Sequence, residues 1–581
     1  MERCRYGEIA MTWGPRWRAH RIGSWRVGLL RAAAALLLWL ATACGPADED
    51  ARGVAASTPL PSFVPAEEGL HFADVTQQAG IDFVYSIGDD SLSNLVESSG
   101  GGAAFLDYDQ DGYLDLYVVN GAFIEGFSQG PRPKGSLRNR LYRNRGDGTF
   151  EDATDRAGTG DSGYGMGVVV ADYDNDGYPD IYVSNYGPNV LYHNNGDGTF
   201  SELTDRAGVG GAEASTGSVW LDYDNDGLLD LYVGNYIDFD PEYSYYYAPD
   251  GFPGPLAYRG QADVLYRNRG DGTFEDVTER VGVYRPEGRA MGVSAVDYDG
   301  DGYVDIYVAN DAMQNYLFHN EGGQRFRDVA LRAGVAYNHQ GDATSTMAVD
   351  FADYDGDGLL DMYVSDLSFS ALYRNEGMGL FVDRTYSAGI AAQAGQFVGW
   401  GVAFLDYDND GDPDIFQVNG EADHLFGQED QLFEDLGDGT FRDVSLERGR
   451  YFRNKLVGRG AAFGDYDNDG DVDVFIVNLN DRGVLLRNEG GSRNGWLLIR
   501  LVGRSSNRDG VGTRVTVVTG DRAQVAQKKS ATGYLSQNDP RMHFGLGAAT
   551  VVDRIEVRWP SGKLQLLEAV RARQILTITE P

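Results

Sequence analysis

The residues best placed to do chemistry are aspartates, and they recur at a fixed spacing. The string Asp107-Tyr-Asp-Gln-Asp-Gly-Tyr-Leu-Asp115 returns six more times as D-Y-D-x-D-G-x-x-D, opening at Asp172, Asp222, Asp297, Asp353, Asp406 and Asp465. Four carboxylates within nine residues repel one another at neutral pH, so a fold that gathers them needs a cation between them. Oxygen donors alone select a hard ion, and calcium is the natural candidate. A turn by itself needs one or two of these residues, never four.

The expected donors are the side chains at positions one, three, five and nine and the backbone carbonyl at seven, with Gly at six making the turn. They are Asp107, Asp109, Asp111, Tyr113 and Asp115 in the first loop, and Asp172, Asp174, Asp176, Tyr178 and Asp180 in the second. The third has Asp222, Asp224, Asp226, Leu228 and Asp230, and the fourth Asp297, Asp299, Asp301, Tyr303 and Asp305. The fifth has Asp353, Asp355, Asp357, Leu359 and Asp361. The last two carry a further Asp at position seven: Asp406, Asp408, Asp410, Asp412 and Asp414, then Asp465, Asp467, Asp469, Asp471 and Asp473. Up to seven calcium ions follow. An EF-hand would supply Glu at position twelve and then a helix. Here that position is Val118, Val183, Val233, Val308, Val364, Gln417 or Ile476, inside runs that read as β-strands. These are loops between strands.

The elements that position the loops show in the repeat around them. An apolar strand enters each loop and a second leaves it, followed by L-Y-R-N-x-G-D-G-T-F and then F-x-D-x-T-x-x-A-G, as in Leu141 to Gly158. Each unit thus offers four short strands. Successive loops start 65, 50, 75, 56, 53 and 59 residues apart, the period of propeller blades rather than of a nonapeptide β-helix. The expected fold is all-β, a seven-bladed calcium-binding β-propeller. His71 to Gly80 matches a repeat tail with no loop before it, while the seventh unit stops after Gly490 without its tail. The N-terminal strand should therefore complete the last blade and remove the open edges.

The loops also account for much of the bulk composition. The 581 residues carry a formal net charge of -39, with 28 of the 88 acidic residues at the four fixed positions of the seven loops. This sign of charge excludes nucleic acid as a partner. Cys4 and Cys44 are the only cysteines, so no disulfide framework holds the fold. The Arg-rich leader and the short apolar run Ala32 to Ala41 read as a signal peptide over 1–43, with Met11 as a second candidate start. Leu40-Ala-Thr-Ala-Cys44-Gly resembles a bacterial lipobox with Ala41 where Leu is preferred; Ala41-Thr-Ala43 equally serves simple cleavage. The expected location is an outer-membrane or cell-surface lipoprotein anchored through Cys44, otherwise periplasmic or secreted. The membrane is engaged only through that lipid. Residues 44–68, rich in Pro, Ala and acid, read as a disordered tether.

The repeats, over 69–490, resemble the FG-GAP or VCBS type of the integrin α-subunit propeller, where similar loops bind calcium. Residues 491–581 resemble the ASPIC/UnbV domain through Asn507-Arg-Asp-Gly-Val-Gly-Thr-Arg-Val515, Gly533 to Gly547 and Val557-Arg-Trp-Pro-Ser-Gly562. The pairing is similar to the cartilage acidic protein family and its bacterial relatives, and implies an exported calcium-binding propeller. Independently, Val515 to Val518, Ile555 to Trp559 and Ile575 to Thr579 alternate as strands and predict a small C-terminal β domain.

Insertions at 121–139 and 236–261, the second rich in Tyr, offer recognition loops; the competing reading packs their aromatics over the propeller. Arg145-Gly-Asp147 and Arg269-Gly-Asp271 lie inside hairpin turns that explain them. Catalytic strings are absent, and the His residues scatter at 20, 71, 193, 319, 339, 424 and 543, with His543 the one to watch. The expected function is a non-enzymatic adhesion or ligand-binding module for a protein or glycan. The alternative is a polysaccharide-active enzyme, or its accessory subunit, with a site at the propeller mouth.

Overall fold

The computed structural model describes residues 71–128, 130–133, 137–241 and 251–581. The signal peptide, Cys44, the tether and Tyr243, Tyr245, Tyr246 and Tyr247 lie outside them. Helices amount to single turns, and among the described residues none is long and apolar enough to cross a membrane.

Seven antiparallel four-stranded sheets follow the seven repeats. The first is Ala103–Leu106, Asp115–Val118, Arg140–Asn144 and Phe150–Asp152. In every sheet the position-nine Asp opens the second strand opposite the end of the first, as in Leu106↔Asp115 and Ala171↔Asp180. The acidic loop is therefore the connection between those two strands. The F-x-D-x-T-x-x-A-G tail forms the fourth strand and then one helical turn, such as Thr154–Ala157. Gly158 ends that turn at φ 77°, a conformation that only Gly adopts without cost.

The seventh sheet holds Gly458–Gly464, Asp473–Asn478 and Val484–Asn488 and takes its fourth strand from Phe72–Asp74, with Phe72↔Asn488 in register. This is the pairing that the displaced repeat tail predicts. The first strands lie side by side in chain order, and Gly458–Gly464 lies against Ala103–Leu106 of the first sheet. The chain is all-β, built of small sheets in the manner of a β-propeller. Core residues sit between adjacent sheets: Tyr108, Leu141, Val168, Ile181 and Phe200 pack together from sheets one and two. The two insertions pack on each other through their aromatics, with Phe127 and Phe239 ring centroids 5.3 Å apart and Phe239 and Tyr258 5.1 Å apart.

The C-terminal strands form two further sheets. Gly495–Val502 lies between Met542–Gly547 and Gln574–Thr579, and Arg514–Thr519 lies between Arg522–Gln527 and Val551–Arg558. The segment joining the two sheets inserts among the propeller's first strands. Leu535 O accepts from Val168 N at 3.1 Å, Gln537 N donates to Ala103 O at 2.9 Å, and Gly533 N to Val349 O at 3.0 Å. The Ser530 hydroxyl bridges the backbone of Trp220, and the Tyr534 hydroxyl donates to Ser99 O at 2.6 Å. Tyr534, Leu535, Ser536 and Gln537 are all buried. A motif that the sequence marks only by resemblance is thus a plug in the space the sheets enclose.

Candidate metal centres

Each acidic loop is shaped by its own carboxylates. The position-one Asp takes the N–H of the position-six Gly on Oδ2, at 2.7 Å in Asp172 and 2.9 Å in Asp465. The position-five Asp takes the N–H of position seven, as Tyr178 N to Asp176 Oδ1 at 2.9 Å. The position-nine Asp takes one N–H from the loop's Tyr and another from the end of the third strand: Tyr108 at 3.1 Å and Asn144 at 2.8 Å on Asp115. These bonds turn the remaining oxygens inward. Asp107, Asp109 and Asp115 bring one oxygen each within 4.8 Å of one another, as do Asp222, Asp224 and Asp230.

Several inward oxygens have no hydrogen-bond partner among the described residues although they are buried: Oδ1 of Asp107, Asp109, Asp172, Asp224, Asp353 and Asp467, and Oδ2 of Asp471. An orphaned buried carboxylate oxygen is costly unless something positive meets it. Burial also pushes Asp172, Asp361 and Asp465 up to about 8, Asp222 and Asp305 up to about 7, and Asp115, Asp230, Asp414 and Asp473 well above the usual carboxylate range. A bound dication reverses that tendency by replacing the lost water with charge. The residues present fit the group: a hard cation would be held by the Asp side chains at one, three, five and nine, and would lock the turn joining two strands.

Two sets of side chains that sequence reasoning passed over join loop to loop. Position four has positive φ, at 57° in Gln110, 62° in Asn175 and 56° in Asn225, which Asn tolerates. Its side chain donates to the position-six carbonyl of the next loop: Asn175 to Gly227 O, Asn225 to Gly302 O, Asn409 to Gly470 O and Asn468 to Gly112 O, each at 3.0 Å, and Gln110 to Gly177 O. The Asn ending the third strand reaches the other way. Asn194 Nδ2 donates to Tyr108 O at 2.9 Å, Asn268 to Tyr173 O, Asn320 to Tyr223 O and Asn375 to Tyr298 O, and Asn144 to Tyr466 O at 2.8 Å. Asn468 and Asn144 therefore tie the seventh loop to the first. The signal was in the sequence, since the Asn of L-Y-R-N recurs in six of the seven repeats, with Asp435 in the sixth.

Loops four and five lack the first latch, having Gly300 and Gly356 at position four. There the C-terminal domain substitutes. Arg514 donates to Gly358 O, and Arg522 donates to Asp410 O at 3.1 Å while pairing with Asp412. A cavity of about 1200 Å³ opens at this junction, with Asp355, Arg374, Asp412, Arg522, Lys529 and His543 among the residues lining it. His543 is half-buried, its Nε2 lies 3.2 Å from Gly470 O, and desolvation lowers it to about 4, the setting of a structural residue. Asp147 of the first Arg-Gly-Asp string accepts from Thr149 N at 3.0 Å, closing its hairpin turn.

Comparison with known proteins agrees with these elements. Residues 107–183, 172–233, 256–308 and 297–364 match the FG-GAP-like repeat, and residues 503–581 match the ASPIC and UnbV family. Cartilage acidic protein 1 of Homo sapiens is 30% identical over 321 residues, covering 51% of this chain and 44% of that protein. The Xenopus tropicalis protein of that name is 25% identical over 329 residues, covering 54% and 41%. The chain thus spans less than half the length of the curated relatives it matches. Among solved structures, an Agrocybe aegerita lectin that recognises non-reducing terminal N-acetylglucosamine aligns over 66% of this chain and 86% of its own at 18% identity, TM-score 0.38. The BP39L lectin of Burkholderia pseudomallei aligns over 67% and 96% at 9% identity, TM-score 0.41.

Proposed function

We propose that this chain, which carries FG-GAP-like repeats and an ASPIC and UnbV domain, is an exported seven-bladed propeller that loads calcium in its loops and binds a glycan or protein without catalysis. The observation that carries the reading is the set of orphaned, buried carboxylate oxygens in loops one, two, three, five and seven. Bound calcium supplies the charge that lets these carboxylates stay ionised while buried. The Asn latches then pass the order of one loop to the next.

The binding role is supported by what fills the molecule. The space at the centre of the sheets, where a propeller enzyme would hold substrate, is occupied by Tyr534 to Gln537. The open cavity beside loops five and six is the better candidate for a ligand, since it mixes apolar surface with charged side chains such as Arg374, Arg522 and Lys529 and adjoins metal loops. The relationship to cartilage acidic protein 1 agrees with export, as does the leader. Anchoring through Cys44 is a further part of the proposal, checked by mass spectrometry of the mature N-terminus for an acylated cysteine.

The test of function is binding to a glycan array and to matrix proteins in calcium and in chelator, beside a polysaccharide panel assayed for products. Calcium-dependent capture with no turnover is the expected result; a defined product would overturn the non-enzymatic reading. Asp107→Ala should lower calcium stoichiometry by one.

A further inference from the structure

The residue just before the strand-end Asn or Asp differs from sheet to sheet: Arg143, His193, Arg267, His319, Arg374, Glu434 and Arg487 in chain order. In loops one, three and five the Arg grips the outer oxygens of positions three and five. Arg267 Nε lies 2.7 Å from Asp224 Oδ2 and Nη2 lies 2.6 Å from Asp226 Oδ2; Arg143 and Arg374 do the same to Asp109 and Asp111 and to Asp355 and Asp357. A guanidinium has no lone pair to give and keeps its charge, so it closes that edge of the loop to an ion.

His changes the edge from a cation into a donor. His193 Nδ1 lies 3.1 Å from Asp180 Oδ1 and 3.4 Å from Asp174 Oδ2, and His319 Nδ1 lies 3.1 Å from Asp305 Oδ1 and 3.5 Å from Asp299 Oδ2. Ligands held about 2.0–2.1 Å from a tetrahedral or octahedral metal stand roughly 3.0–3.4 Å apart. The two 3.1 Å contacts are imidazole–carboxylate hydrogen bonds, and the same spacing lets both groups turn onto one ion. Each imidazole is set edge-on to the loop's Tyr ring, at 75° to Tyr173 and 77° to Tyr298, so the equivalent positions of two repeats hold one orientation. In the second loop a separate observation points to an ion. Asp172 is 2% exposed and its Oδ1 lacks a partner, while Asp172, Asp174 and Asp176 place oxygens within 4.8 Å of one another.

We propose that loops two and four are mixed nitrogen–oxygen sites for a first-row transition dication, with His193 and His319 as ligands, while the Arg loops remain oxygen-only sites. Imidazole nitrogen favours zinc-type ions over calcium, whereas carboxylates alone do not. The proposal rests on the metal reading of the loops, but not on calcium filling all of them.

The test is metal analysis of the mature chain after equilibrium dialysis against calcium with trace zinc, beside the double variant His193→Arg/His319→Arg, which installs the residue the other loops use. The expected result is two zinc ions per chain surviving a 1000-fold excess of calcium, and none in the double variant, which still binds calcium and melts normally. Zinc displaced from every loop by calcium, or retained by the double variant, would overturn the proposal and leave the calcium reading intact. A native chain that holds no metal would overturn both.

Discussion

Two arcs of the loop circuit are built differently. From loop six through seven, one, two and three, a side chain at position four donates to the next loop, and the circuit is self-contained. From loop four to loop six that side chain is absent, at Gly300 and Gly356; Arg514 of the C-terminal domain takes the position-six carbonyl of Gly358, and Arg522 takes the neighbouring carbonyl of Asp410. The lesson is that the C-terminal domain is a structural member of the propeller. The cavity lies where repeat symmetry was given up.

The contrast can be broken at several levels. The largest effect should come from removing the ions. At roughly 2 mM calcium and a Kd near 10⁻⁴ M each site adds about 1.8 kcal/mol, so chelator should lower the melting temperature by on the order of 10 °C or more. Equal melting curves in calcium and chelator would end the metal reading for both arcs. Next, Asn144→Ala removes a buried amide that donates to Leu114 O and Tyr466 O, and should destabilise by about 2–3 kcal/mol in urea melts.

A gain is expected at the one strand end without the amide. Asp435 stands where the other sheets have Asn, and burial pushes it up to about 7. Asp435→Asn should stabilise by about 1 kcal/mol at pH 7 by supplying the missing donor. Gly356→Asn sharpens the comparison of arcs directly. Its φ is 71° and nothing lies within 4 Å of an added Cβ, so Asn fits and should add roughly 0.5–1 kcal/mol while weakening any ligand held in the cavity. If it stabilises without affecting binding, the cavity is not the ligand site.

A pH dependence is expected in the C-terminal domain, confined to acid conditions. Glu580 accepts the backbone N–H groups of Arg504, Ser505 and Ser506 at 2.7–2.9 Å and the Ser561 hydroxyl, and is lowered from 4.5 to about 2, where those bonds outweigh burial. A lowered carboxylate stabilises fully above its unfolded value and loses that contribution as pH falls through the folded one. Melting temperature should therefore drop from pH 4.5 towards 2 in the native chain, and Glu580→Gln should flatten that part of the profile.

Most of the fold was legible because the repeat is local. Strand, acidic turn and strand follow from alternation and D-x-D-G spacing within a few dozen residues, and the unpaired tail at His71 foretold the pairing of Phe72 with Asn488. The candidate metal donors were legible for the same reason. What was not legible depends on contacts across hundreds of residues. Asn recurs at position four, yet nothing local says that Asn468 reaches Gly112, and Gln537 to Ala103 leaves no periodic trace at all. His193 and His319 read as scattered, since their meaning lies in alignment with Arg143 and Arg267 rather than in their own surroundings.

The plug also orders events in time. Residues 530–541 leave the ribosome after every sheet of the propeller, and the partner strand for Phe72–Asp74 emerges more than four hundred residues after that strand. The innermost hydrogen bonds therefore form only once nearly the whole polypeptide has been synthesised. A chain stopped before Gly533 would carry every propeller strand yet lack the backbone partners of Ala103, Val168 and Val349.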